Sequence, residues 1–290
     1  MGAFNVGVRL HDLPEGTVEE RLHMAAEQGF SCLQLPSKVL YASYGIDCSG
    51  LTRELAEHLR ALLDELGLSV AVFGCYKNLV TPDAEALEEV MAEYEACLRF
   101  AAWLGGCPVG TETGRPNAEN AVADDRFSDD ALWLFCARLG HVCAMAEQLG
   151  VRMYIEPGWN EVVCTPERCR YVLDVVASPA LGVIYDPVSL LHPKVVEQAQ
   201  PLTARMLRMC GERIHVIHAK DYTVELGEDG FSWTDGSGSH LVCHGAGTTG
   251  AYDMAQLARW ASGSRLGIDC VVENSTPDTA AQSLAYLQQW

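Results

Sequence analysis

Eight short apolar runs, each separated from the next by a stretch long enough for a helix or an extended connection, constrain this chain more than any other feature. The runs are Phe4–Arg9, Phe30–Leu35, Leu68–Gly74, Cys107–Glu112, Val151–Glu156, Leu181–Asp186, Arg213–Ala219 and Gly267–Glu273. Each has the length and the near-continuous apolar character of a strand buried on both faces. Six of the intervening stretches carry helical periodicity: "TVEERLHMAAEQG", "RELAEHLRALLDELG", "PDAEALEEVMAEYEACLRFAAWLG", "SDDALWLFCARLGHVCAMAEQLG", "TPERCRYVLDVVA" and "PDTAAQSLAYLQQW". Three open with proline near the first turn and several close on glycine, as helix ends do. Strands alternating with helices pair in parallel through right-handed crossovers. An open doubly wound sheet is the rival arrangement. The first strand–helix turn, "RLHDLPEGT", lacks the G-x-G-x-x-G of a dinucleotide site. Eight units in 290 residues fit a (β/α)8 TIM barrel, an α/β fold, as a single domain over residues 1–290.

Bulk chemistry narrows the function. Hydrophobic residues make up 49% of the chain, enough for a large core. The formal net charge of −19 argues against a surface for nucleic acid, which needs a basic stripe, and against anionic membranes. No apolar run approaches the ~20 residues of a membrane span. The N-terminus "MGAFNVGVRL" lacks the apolar core of a signal peptide, and Val6 stands where a myristoylation signal at Gly2 needs Ser or Thr. Twelve cysteines show no C-x-x-C pair, and several, including Cys32, Cys97, Cys136, Cys143 and Cys270, sit in apolar patterns as small buried thiols. Free thiols in that number point to a reducing, cytoplasmic location. A homo-oligomer is compatible with the sequence, which does not fix the oligomeric state.

The strand ends carry the chemistry. "VRMYIEP" ends at Glu156, "LGVIYDP" at Asp186, "RIHVIHAKD" at His218 and "IDCVVENS" at Glu273. On a barrel these ends converge at the C-terminal rim, where active sites form. Three carboxylates brought together repel unless a cation or protons intervene. A divalent metal with one imidazole resolves the conflict, so the four residues are expected to be metal ligands. His215 precedes His218 by three, and strand alternation turns it to the other face, toward the core or the helices. Two long loops follow the fourth and seventh strands, Gly114–Arg126 and Glu225–Cys243. The second carries Phe231 and Trp233, which either fold over a ligand or pin the loop.

With those residues in view, the chain resembles the xylose isomerase-like barrels, the sugar phosphate isomerase/epimerase family that includes ketose 3-epimerases, inosose dehydratase and isomerase, hydroxypyruvate isomerase and endonuclease IV. The resemblance covers the whole chain. It is carried by "EERLHMAAEQGFSCLQL", "AEQLGVRMYIEP", "TPERCRYVLDVVASPALGVIYDP", "IHVIHAKD", "GAGTTGAYD" and "VVENS". It implies one divalent metal (Mn, Mg, Co or Zn) on Glu156, Asp186, His218 and Glu273. It also implies that Glu156 and Glu273 are the two catalytic bases. They lie three strands apart, roughly 135° around an eight-strand ring, and so can flank one substrate. One would remove a proton beside a carbonyl and the other return it, with the metal as Lewis acid for the enediolate. The expected substrate is a small carbohydrate: a sugar, a sugar phosphate or an inosose. Candidate substrate contacts are Glu112, Trp159, Tyr76, Asn78, Lys220 and His244, each also readable as loop packing.

Departures from the family set the alternatives. Gln34 stands where members often carry Glu. Ser189 follows Asp186 by three, where epimerases and endonuclease IV tend to offer His. No arginine after His218 matches that of the ketose 3-epimerases. An inosose-type dehydratase or lyase shares the proton removal and remains the main alternative. An endonuclease IV-like nuclease, lacking the extra histidines, and a non-catalytic sugar-binding barrel stand further back.

Overall fold

Helix caps fix where the chain turns back on itself. Thr17 accepts from the N–H of Glu20 while the Glu20 side chain accepts from the N–H of Thr17, and Gly29 closes the helix in the left-handed region at φ 91°. The side chains of Thr52, Asp83, Ser128 and Thr165 also accept first-turn N–H groups at the starts of later helices, the last with Pro166 in the first turn. A computed structural model describes residues 2–226, 238–265 and 267–290. Phe231 and Trp233 lie outside the described residues.

The strands are β1 (Asn5–Arg9), β2 (Cys32–Pro36), β3 (Ser69–Gly74), β4 (Val109–Glu112), β5 (Met153–Glu156), β6 (Leu181–Tyr185), β7 (Ile214–Leu226), β8 (Ser239–Gly245) and β9 (Asp269–Val272). The helices are α1 (Val18–Gln28), α2 (Ser37–Tyr44), α3 (Arg53–Leu66), α4 (Ala84–Trp103), α5 (Asp129–Leu149), α6 (Pro166–Val176), α7 (Ala199–Cys210), α8 (Ala255–Gly263) and α9 (Ala280–Gln288). Strands β1 to β6 pair in order, β7 pairs β6, β9 pairs β7, and β1 pairs β9, all parallel. The ring closes as the expected (β/α)8 barrel.

The barrel interior is filled rather than hollow. Val72, Tyr154, Ile184, Val216 and Val271 pack inside it. Space for them comes from glycine: a Cβ on Gly110 would lie 2.4 Å from Val72 Cγ1 and 2.7 Å from Ile184 Cδ1. A much larger core fills the shell between strands and helices. All five cysteines singled out above are buried, and all twelve are free thiols. No helix among the described residues is long and apolar enough to cross a membrane.

Three features depart from the sequence reading. The stretch Glu225–Cys243 is not a loop throughout: β7 runs on to Leu226 and pairs antiparallel with β8, from Lys220↔Gly245 to Leu226↔Ser239. Second, α2 is an additional helix after β2, so β2 and β3 are joined by two helices. Third, alternation fails at His215. Val183 pairs Ile214 and Ile184 pairs Val216, so His215 is skipped in a bulge. Its ring stacks on inward-facing Tyr154 at 5.3 Å, below the chemistry rather than among the helices.

Candidate metal centre

Each of four neighbouring barrel strands delivers one side chain to the same point. Glu156 is the last residue of β5, Asp186 follows β6, His218 lies within β7 where it leaves the barrel wall, and Glu273 follows β9. Each offers a ligand atom, and these atoms all lie within 4.8 Å of one another. All four residues are buried, Asp186 and His218 completely. His218 Nδ1 is 3.1 Å from Glu156 Oε2 and 3.1 Å from Glu273 Oε1.

Two basic side chains hold this acidic cluster together. Lys220 Nζ lies 2.7 Å from Asp186 Oδ2 and donates to Glu273 Oε2 at 3.2 Å and to Ser189 Oγ at 2.8 Å. Arg9, at the end of β1, reaches Glu273 Oε1 at 3.6 Å and is itself clamped by Asp12 at 2.9 and 3.0 Å. The other oxygen of Asp186 accepts the backbone N–H groups of Val188 and Ser189, each at 2.8 Å. Its carboxylate plane is therefore fixed from behind.

Electrostatics follow from that packing. Burial works to lower the His218 imidazole, but Glu273 and Glu156 outweigh it and hold it at about 9. Burial raises the Glu156 carboxyl. Burial would raise Glu273 too, yet His218, Lys220 and Arg9 hold it below the ordinary carboxylate range. Lys220 is buried, which alone would lower it, and Asp186 and Glu273 keep it firmly charged.

A divalent ion fits this donor set. His218 Nε2 is buried and has no partner among the described residues, while Asp186 Oδ2 and His218 Nδ1 meet only the charged groups of the cluster itself. Buried polar atoms without partners are rare and call for an explanation. Three carboxylates and one imidazole suit Mg, Mn, Co or Zn.

Glu156 and Glu273 of the cluster, with Lys220, line the floor of a cavity of about 590 Å³, of the size that takes a small polar molecule, and Asp186 and His218 lie behind them. Glu112, Trp159, Tyr76 and Lys220 line it, as does Gln34, whose amide contacts the Tyr76 hydroxyl. The Trp159 ring is set edge-on to His192 at 4.8 Å. Asn78 and His244 do not line it. Asn78 donates to the Arg115 carbonyl at 2.8 Å and accepts from Val80 N–H at 3.0 Å, tying two loops together. His244 pairs with the Thr223 hydroxyl at 3.1 Å. On the antiparallel ribbon, His240, Leu241 and Cys243 reach the cavity instead.

Two further lining residues, Arg9 and Glu161, join the site from outside the predicted set. Arg9 ends a strand as the acids do, so the same reasoning applied to β1 finds it. Glu161 is buried beside Arg115, and its Oε2 accepts from the N–H of Thr113 at 2.6 Å and of Gly114 at 3.2 Å. It lies in a loop, where no periodicity marks it.

The family model for the xylose isomerase-like TIM barrel matches residues 22–290. No curated protein matches the chain significantly. Among solved structures, the chain is similar to the probable 3-DHS dehydratase AsbF involved in petrobactin synthesis from Bacillus anthracis, at 14% identity and TM-score 0.72, covering 99% of this chain and 98% of that one. It is similar to 3-keto-D-glucoside 4-epimerase, YcjR, from E. coli, at 17% identity and TM-score 0.69, covering 99% and 100%. It is also similar to a xylose isomerase-like TIM barrel protein from Mycobacterium smegmatis in complex with magnesium, at 16% identity and TM-score 0.70, covering 100% and 97%. It spans 42% of a further relative, a xylose isomerase-like TIM barrel/4-hydroxyphenylpyruvate dioxygenase fusion protein. Identities this low establish a common fold and no common activity.

Proposed function

Because the chain belongs to the xylose isomerase-like TIM barrel family, we propose that it is a metal-dependent isomerase or epimerase of a small polyhydroxylated carbonyl compound, of the sugar, sugar phosphate or inosose class. The observation that carries this reading is the convergence of four buried strand-end residues whose candidate ligand atoms all lie within 4.8 Å of one another, two of them, Glu156 and Glu273, lining an open cavity. Glu156, Asp186, His218 and Glu273 would hold one divalent ion. Such an ion supplies Lewis-acid polarisation of the substrate carbonyl.

The chain's own residues supply the rest. Glu156 and Glu273 approach the substrate from strands three apart and transfer its proton, one taking it from the carbon beside the carbonyl and the other returning it. They are not equivalent. Arg9 and Lys220 both contact Glu273, whereas among the described residues Glu156 is paired only with His218, so Glu156 is the stronger base of the pair. Lys220 holds Asp186 and Glu273 in orientation through their outer oxygens. Trp159 offers an apolar plate for a sugar ring. Glu112, exposed at the end of β4 beside Glu156, accepts hydroxyl hydrogens on the far side.

Deuterium uptake from solvent tests the scheme. A panel of ketoses, inososes and their phosphates incubated with the magnesium- or manganese-loaded protein should include compounds that gain deuterium beside the carbonyl. Glu156→Gln and Glu273→Gln should each stop the uptake while the melting curve stays cooperative. Uptake retained in both variants would rule out the two-base scheme. Product analysis by NMR separates the alternatives: a rearranged sugar supports isomerase or epimerase chemistry, and loss of water assigns the dehydratase reading, which shares the proton removal.

A further inference from the structure

A second cavity of about 430 Å³ lies outside the barrel mouth, between the N-terminus of α6, the segment after β6 and the start of α7. No residue that lines the first cavity lines this one. Its walls are apolar: Leu190, Leu191, Val195 and Leu202 are the main side chains, and Val195 is 40% exposed at its edge. Leu202, Arg205 and Arg208 recur every three residues and so share one face of α7.

The charge of the lining is the unusual part. The chain has 39 acidic residues against 20 lysines and arginines, yet two arginines and His192 line this cavity and, among the described residues, no Asp or Glu does. Arg205 Nε is paired with Glu167 Oε1 at 3.2 Å, with both side chains about half exposed. Arg208 makes no ion pair or hydrogen bond among the described residues. An apolar pocket of ligand size with an unpartnered guanidinium at its rim suits a molecule with an apolar body and one anionic head.

We propose that this cavity is a second small-molecule site, separate from the metal centre, for an amphipathic anion with a single acidic head group. The apolar body lies along Leu190, Leu191 and Leu202, and the head group meets Arg208. The head can be a carboxylate or a phosphate monoester, which the guanidinium fork accepts equally.

Calorimetry on the full-length protein with three probes tests the site: decanoate, decyl phosphate and decanol. About one decanoate or decyl phosphate should bind per chain, with decanol roughly tenfold weaker for lack of the charge-assisted contact. The tighter of the two anions identifies the head group. Arg208→Gln, an exposed change, should weaken the anions roughly tenfold and leave decanol unchanged. Leu202→Trp should fill the space and abolish all three. No binding at millimolar probe, or binding unaltered in both variants, would overturn the proposal. Turnover enters none of these readouts, so they stand or fall apart from the catalytic reading.

Discussion

Three carboxylates within reach of one imidazole would repel each other in a metal-free protein, and Arg9 and Lys220 are what prevents it. Lys220→Met removes the cation from between Asp186 and Glu273 and leaves their outer oxygens buried. Metal-free stability should fall by roughly 3–5 kcal/mol, the cost of breaking a buried pair. Added divalent ion should restore much of it, and urea melts with and without EDTA read both effects. His218 sets a pH dependence. Its imidazole is held at about 9 by its acidic neighbours, so at neutral pH an incoming ion must displace a proton. Metal binding should therefore release protons into weakly buffered solution and tighten steadily as pH rises toward about 9. Without metal the sign reverses: the folded pKa exceeds the unfolded one, so this stabilisation is full below pH ~6.5 and is lost as pH rises through the folded value. The four positions that converge were legible in sequence because buried strands have little reason to end on three acids and a histidine. That Asn78 and His244 do not line the cavity was not legible, for the converse reason. Loop and ribbon residues face whatever the turn dictates, and no periodicity reports it.

At the level of elements, the join between β7 and the loop before α8 decides whether the centre is rigid. Asp221 is fully buried, and its two oxygens accept five backbone N–H groups, from Tyr222, Thr249, Gly250, Ala251 and Tyr252, at 2.7 to 3.0 Å. Asp221→Ala strands these donors and should cost roughly 3 kcal/mol or more. Thermal melts measure the loss, and hydrogen exchange should rise first over residues 247–252. The bulge at His215 makes a second element-scale prediction. A Cβ on Gly182 would stand 2.5 Å from Tyr154 Cε1 and 3.0 Å from His215 Cδ2, so Gly182→Ala forces the stacked pair apart. The melting temperature should drop while metal content is retained, because the damage lies below the four ligands. Bulges and ribbons of this kind are hard to read from one chain. Apolar patterning signals burial, but a skipped residue changes only the pairing partner. The run "HAKDYTVEL" alternates no differently whether its far half is loop or strand. The extra helix α2 was missed because its eight residues carry too little amphipathic signal.

For the whole molecule, closure was the most readable property. Eight apolar runs of strand length in 290 residues leave few other ways to satisfy every edge. What the count of runs could not reveal is where, in a chain of net charge −19, cations are placed: Arg9 and Lys220 against the buried carboxylates, and Arg205 and Arg208 at the crevice beside α7. Lys220 also bears on the shape of this cluster when no ion is bound. Because the ammonium already occupies the gap between two carboxylates, the emptied chamber keeps its shape. Stripping with EDTA should leave circular dichroism and melting cooperativity intact, and returning the ion should restore binding within the dead time of mixing. If the proposed ion binds here, such a barrel would be discharged and recharged like a battery, its terminals kept apart by an internal spacer.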